Sequence, residues 1–227
     1  MRVRILGTRG NVAASAPRHA KHAGVLVDGR LLLDAGEAGY LDLRPQHVFI
    51  THLHPDHAVL ASLANAHDAT IHVPEPTIAL PDAHVVTQAM TIGPYRVTPV
   101  PTLHSRNVRS VGYVVAKGRR SFFYSSDMIA IEPRYHKRLR GIEVVITDGS
   151  FMRRGGLVRI GRSSGERYGH AGIPDLVEFF GRYAQRIVIG HFGSWFYRDI
   201  AASVARIEAL GNGVRVVAAY DGLALNV

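Results

Sequence analysis

The sequence predicts an α/β protein built from two sheets with helices on their outer faces. Three observations carry that reading. Short apolar runs of strand character open each half of the chain, and amphipathic helical stretches close each half. Hydrophobic residues make up 47% of the 227 and charged residues 20%, a balance that supplies a core and excludes a disordered or fibrous chain. No linker-like stretch or solenoid repeat interrupts it, so residues 1–227 read as one domain. Propensity by itself leaves an ordinary α/β fold equally open.

The elements follow in order. Residues 2–7 alternate as a first strand. Residues 24–27 and 30–34 are apolar runs joined through Asp28-Gly29, a two-residue hairpin signal because both positions tolerate positive φ. Residues 48–51 form a short buried-type strand that runs into a polar cluster, and residues 58–66 then carry apolar side chains at helical spacing. Residues 70–73 and 95–99 read as strands. Residues 111–116 and 121–124 are a second hairpin around Lys117-Gly118, and 143–147 is strand-like. A helix is expected over 173–183, where Pro174 suits the first turn and Asp175 the positive end of the dipole. A buried strand over 187–189, a helix over 199–210 stopped by Gly211 and a last strand over 214–218 complete the chain. The Gly- and Arg-rich stretch 153–169 is expected to be a mobile loop.

Composition narrows the chemistry. There is no cysteine, which excludes disulfides, thiolate metal sites, iron–sulfur clusters and a thiol nucleophile. Any transition metal must therefore rest on histidine and carboxylate, and 13 histidines are present. Lys+Arg 27 against Asp+Glu 18 leaves a net charge of +9, a field that favours an anionic partner, although the same excess also serves solubility. No apolar run nears the ~18 residues of a membrane span, and the N-terminus reads as a strand without a signal-peptide core. No membrane partner and a cytoplasmic location are expected.

The segment Thr51-His52-Leu53-His54-Pro55-Asp56-His57 carries the chemistry. His52 and His54 are two apart in extended chain and project to one side, while Asp56 and His57 sit where the chain turns toward a helix. A catalytic zinc takes about three protein ligands plus water, so four such groups suggest two metals, each needing further ligands. Two-metal hydrolytic sites hold their ions ~3.5–4 Å apart. His104, Asp127 and His191 each follow an apolar strand, where a rigid element can hold a ligand.

These residues resemble the metallo-β-lactamase superfamily, whose hallmark is H-x-H-x-D-H. The resemblance spans nearly the whole chain, including Leu33-Asp34-Ala35-Gly36 and Asp221-Gly222. It implies a four-layer αββα sandwich. It also implies that His52, His54 and His104 hold one metal, that Asp56, His57 and His191 hold a second, and that Asp127 bridges them. A narrower resemblance is to the phosphodiesterase branch, which includes ribonuclease Z and the phosphonate-pathway cyclic phosphodiesterases. Leu6-Gly7-Thr8, His104 through Gly112-Tyr113, Thr147-Asp148-Gly149-Ser150-Phe151 and Gly169-His170 carry it. Here Ala171-Gly172 follows the histidine, Asp148 stands where that branch carries Glu, and no insertion is long enough for a tRNA-clamping arm.

The resemblance implies a dinuclear metal-dependent hydrolase, a phosphodiesterase in which a hydroxide between two divalent ions attacks a phosphodiester. Zinc is the expected metal, with manganese or iron also suited to His/Asp ligands. The catalytic groups would be His170 as general acid, Asp148 as its orienting partner, and Asp56. The implied substrate is an anionic phosphodiester, a small cyclic or nucleotide diester or RNA, and the implied assembly a homodimer. An acyl hydrolase of the same fold, of lactonase, thioesterase or lactamase type, is the alternative, and a non-catalytic nucleic-acid-binding protein a third reading.

Other residues read as follows. Asp34 suits a partner for a ligand histidine, or a turn residue. His19 and His22, between Arg18 and Lys21, read as loop residues in solvent. His47, His67, His72, His84 and His136 show no clustering and read as surface or structural. Arg106 and Arg109 follow a ligand and offer anion contacts. Trp195 and Phe196 read as core.

Overall fold

The computed structural model describes residues 1–162 and 165–227. Its first sheet pairs strands in the order β16 (Ala224–Asn226), β1 (Arg2–Gly7), β2 (Gly24–Val27), β3 (Leu31–Leu33), β4 (His47–Phe49), β5 (Thr70–Val73) and β6 (His84–Val85). The second runs β15 (Arg215–Ala218), β14 (Arg186–Phe192), β11 (Val144–Gly149), β10 (Arg120–Ser126), β9 (Val111–Lys117), β8 (Tyr95–Pro101) and β7 (Met90–Ile92). Both sheets are mixed. Hairpins join antiparallel neighbours, whereas β3–β4–β5–β6 and β10–β11–β14–β15 pair in parallel.

Strands buried on both faces explain the apolar runs. In β3, Leu31 and Leu33 face the core between the sheets, which also takes Val3, Phe49, Tyr113, Phe122 and Val188. Leu32, between them, faces outward into a second cluster with Tyr40, Val48 and Leu63. On the far side, Phe123, Val145 and Ile187 of the second sheet pack against Ile173, Leu176 and Phe180 of helix α2 (Ile173–Phe180) and Ile207 of α3 (Ile200–Glu208). The layering is therefore helix, sheet, sheet, helix, as expected.

Asp199 starts α3 by accepting a hydrogen bond from the Ala202 N–H at 2.9 Å. The outer layer on the first sheet is thin. Where a helix was expected over 58–66, α1 spans only Leu60–Leu63, because residue 58 is held in a bridge between Ala35 and Ala58. A 3₁₀ turn over Ala38–Leu43 covers the rest of that face. The stretch 153–169 differs from its expectation too. Its described part forms a two-stranded hairpin of β12 (Leu157–Ile160) and β13 (Arg167–His170), with Arg159 opposite Tyr168. Its Ser163 and Ser164 lie outside the described residues. No helix among the described residues is long and apolar enough to cross a membrane.

A candidate dinuclear metal centre

The parallel strands β4, β10, β11 and β14 all end on the same side, and the loops that follow them build one site. Two register shifts aim its side chains. One lies between Tyr124 and Ser126 at the end of β10, the other between Asp148 and Gly149 where β11 meets β14. Asp34, Ser126 and His191 adopt left-handed φ of 61°, 55° and 54°, costly for non-glycine residues and here concentrated at one place. A bridge between Leu103 and Ala130 ties the loop of His104 to the loop of Asp127.

The structure brings His52, His54, Asp56, His57, His104, Asp127, Asp148, His170 and His191 together at this end. His52 Nε2 lies 3.0 Å from His54 Nδ1, and His104 Nε2 lies 3.3 Å from the same atom. Asp127 Oδ2 is 3.8 Å from His52 Nε2 and 3.7 Å from His104 Nε2. On its other side, Asp127 Oδ1 is 3.4 Å from His57 Nε2 and 3.2 Å from His191 Nδ1. Asp56 Oδ2 lies 3.6 Å from His57 Nε2 and 3.0 Å from His191 Nε2. Ligands 2.0–2.2 Å from a tetrahedral cation stand about 3.3–3.6 Å apart, and the separations here, 3.0–3.8 Å, bracket that range, with Asp127 facing the two sets through different oxygens.

The outward nitrogens show which inward ones are bare. His57 Nδ1 donates to Asp34 Oδ2 at 2.8 Å, and His104 Nδ1 donates to the Gly169 carbonyl at 2.9 Å. Thr51 Oγ1 donates to Asp34 Oδ2 at 2.9 Å and lies 3.1 Å from His52 Nδ1, whose proton it accepts. These three imidazoles thus commit one N–H away from the site and turn their second nitrogen toward it. His57 Nε2 and Asp127 Oδ1 are buried without any hydrogen-bond partner. His54 Nδ1 stands 3.0–3.3 Å from both His52 Nε2 and His104 Nε2, and one proton cannot serve all three nitrogens, so the arrangement fits a cation between them.

The charge balance agrees. Burial, reinforced by His57 and the other histidines, holds His52 well below its ordinary pKa and keeps it neutral. Burial also disfavours charge on His57, but the carboxylates of Asp127, Asp34 and Asp56 override it and raise that group well above its usual value. His191 behaves alike: against burial, Asp127, Asp148 and Asp56 push it up to about 10. The Asp56–Asp127 side of the site calls for positive charge.

Outside these two sets, His170 Nδ1 donates to Asp148 Oδ2 at 2.6 Å. Asp148 is fully buried, and its Oδ1 accepts from the Ser150 N–H at 2.8 Å. Burial would depress His170, yet the Asp148 carboxylate raises it above its ordinary value. His170, with Asp56 and Asp127, lines a cavity of about 440 Å³ whose other walls include Arg159, Tyr168 and Trp195.

Several residues differ from their sequence reading. Trp195 walls the cavity and donates from Nε1 to the Gly149 carbonyl at 3.0 Å, while Phe196 is core, stacked on Phe192. His19 is buried edge-on against Phe196 rather than in solvent, and His22 is half-buried with Nε2 2.7 Å from Arg9. Arg106 does not reach the cavity but sits over the Tyr168 ring at 5.1 Å, and the backbone N–H of Arg109 donates to Glu75. His47, His72 and His84 do cluster, on adjacent strands, with His47 Nδ1 3.2 Å from His72 Nε2. Arg159 and Tyr168 escaped notice because the hairpin carrying them was read as a loop.

A fold of two facing mixed sheets with a His/Asp cluster at the strand ends defines a class of metal-dependent hydrolases. The model of the beta-lactamase superfamily domain matches residues 40–192, and the chain belongs to that superfamily. A search of curated proteins finds no match. Among solved structures, a metallo-beta-lactamase fold protein, YhfI from Bacillus subtilis, is 17% identical with a TM-score of 0.75, covering 99% of this chain and 98% of that one. A diphosphatase from the PhnP family is 15% identical with a TM-score of 0.70, covering 100% and 97%. Human tRNase Z, short form, is 17% identical with a TM-score of 0.68, covering 100% and 99%.

Proposed function

We propose that the protein is a dinuclear phosphodiesterase. The observation that carries this reading is the His170–Asp148 pair, a positioned proton donor at the cavity wall beside both ligand sets. In this reading His52, His54 and His104 hold one divalent cation, Asp56, His57 and His191 a second, and Asp127 both. Zinc suits the donor set best. When bound, two such cations lower the pKa of water and draw charge from the oxygens of a phosphodiester.

The protein's own groups do the rest. Asp56 lines the cavity and orients the attacking water by accepting its hydrogen bond. His170, its Nδ1 fixed on Asp148, gives the Nε2 proton to the leaving oxygen, and Asp148 keeps that proton in place until it is needed. Arg159 meets the anionic substrate at the rim. Two of the structurally similar proteins, a diphosphatase and a tRNase Z, support a phosphorus substrate, as does the basic net charge of +9.

The test sets a chromogenic phosphodiester beside a lactone and a thioester, with zinc, manganese and iron in turn. Diester turnover is expected to dominate. His170→Ala should retain wild-type metal content and lose ~10²–10⁴-fold in turnover of a poor-leaving-group diester. Faster lactone or thioester hydrolysis, or an unaffected variant, contradicts the reading.

A further inference from the structure

Beside the catalytic cavity lies a second one, of about 370 Å³, which nothing in the proposed reaction uses. Phe151 and Trp195 line both cavities and form the wall between them. Three arginines, Arg153, Arg198 and Arg206, line the second cavity, against a single carboxylate, Asp199. That carboxylate is committed, since Asp199 Oδ1 caps α3. Arg198 and Arg206 make no ion pair or side-chain hydrogen bond among the described residues, and Arg153 gives only its Nε, to the Gly156 carbonyl at 2.8 Å. Arg154, next in sequence, is by contrast neutralised by Glu178 and Asp175. Three guanidinium groups around one concavity, with their forks free, are built for phosphate oxygens.

From the phosphodiesterase reading of the neighbouring site, we infer that this cavity is a second substrate subsite and that the substrate is a single-stranded oligonucleotide. Its scissile diester lies at the cation centre. The intervening base stacks on the Trp195–Phe151 wall, and a later phosphate rests on Arg153, Arg198 and Arg206. Aromatic rings alternating with cations along a groove is the arrangement that binds single strands without reading sequence. A substrate with one phosphate fills only the first cavity.

Trp195 is the only tryptophan in the chain, so its fluorescence reports occupancy of the shared wall. The experiment titrates metal-loaded His170→Ala protein, whose slowed turnover leaves the ligands intact over a short titration, with a dinucleotide, a tetranucleotide and inorganic phosphate. The tetranucleotide is expected to bind at least about tenfold tighter than the dinucleotide, the equivalent of one charge-assisted phosphate contact in the second cavity. Adding Arg198→Ala and Arg206→Ala should bring that ratio to about one. Arg120→Ala with Arg140→Ala, an equal charge loss elsewhere, should leave the ratio intact. Equal affinity at both lengths, a ratio that survives loss of Arg198 and Arg206, or phosphate binding as tightly as the tetranucleotide overturns the inference. The catalytic reading fails separately: length-dependent binding without diester turnover by the wild type sinks the chemistry and keeps the subsite, and turnover without length dependence does the reverse.

Discussion

Asp34 holds the candidate centre from behind. Its carboxylate accepts from His57 Nδ1, from the Thr51 N–H at 2.7 Å and hydroxyl at 2.9 Å, and from the Tyr124 hydroxyl at 2.9 Å. One side chain thereby sets two histidine rings and ties β3 to β10. Asp34→Ala is expected to weaken metal affinity about 10–100-fold in a chelator competition. Because buried hydroxyls lose their acceptor, it should also cost about 1–3 kcal/mol per group in urea unfolding. The candidate ligands were legible because four of them, in H-x-H-x-D-H, fall within six residues and the rest follow apolar strands. Thr51, Ser126 and Tyr124 were not, since nothing local marks a hydroxyl that meets its partner across two sheets. The His47–His72–His84 row was also invisible, because it exists only through the register of three parallel strands. Burial, with His47 and His84 beside it, lowers His72 to about 4. Its folded value lies below its unfolded one, so its contribution to stability is present above about pH 6.5 and is lost as pH falls toward 4. Urea midpoints between pH 7 and pH 4 should fall, and His72→Phe, which keeps the stacking on Phe49, should flatten the fall.

At the scale of elements, the loop bearing the motif is pressed onto β3. A Cβ on Gly36 would stand 2.2 Å from the Asp56 carbonyl oxygen, a backbone atom that has nowhere to swing. Gly36→Ala is expected to cost about 1–3 kcal/mol and to displace Asp56, read as a lower melting temperature together with loss of bound metal. The hairpin β12–β13 works through Gly169. With φ of 122° it turns its carbonyl to His104 Nδ1, and the next residue is His170. Most strands and the two long helices were readable from periodicity, but β6, β7 and β16, two or three residues each, are too short to show one. The β12–β13 hairpin was not readable either, because its glycines are poor strand formers and its pairing, not its composition, makes it a strand. Helix α1 was overread for the opposite reason: apolar spacing was present, but the Ala35–Ala58 bridge leaves residue 58 in extended pairing.

Across the whole molecule, the two ligand sets are divided between the sheets. His52, His54, Asp56 and His57 hang from the end of β4 in the first, and in the second Asp127 directly follows β10 while His191 lies in β14. Cations bound there fasten one sheet to the other, so binding energy becomes folding energy. At a free metal concentration of 100 Kd, stability should rise by about 2.7 kcal/mol, seen as a higher urea midpoint with unchanged secondary structure by circular dichroism. Asp127→Ala, which removes the group common to both sets, should abolish most of that gain and alter the stoichiometry measured by elemental analysis. Neither sheet carries a complete set of ligands. A chelator should therefore act on this molecule as a denaturant as well as an inhibitor, loosening the seam that the proposed chemistry straddles.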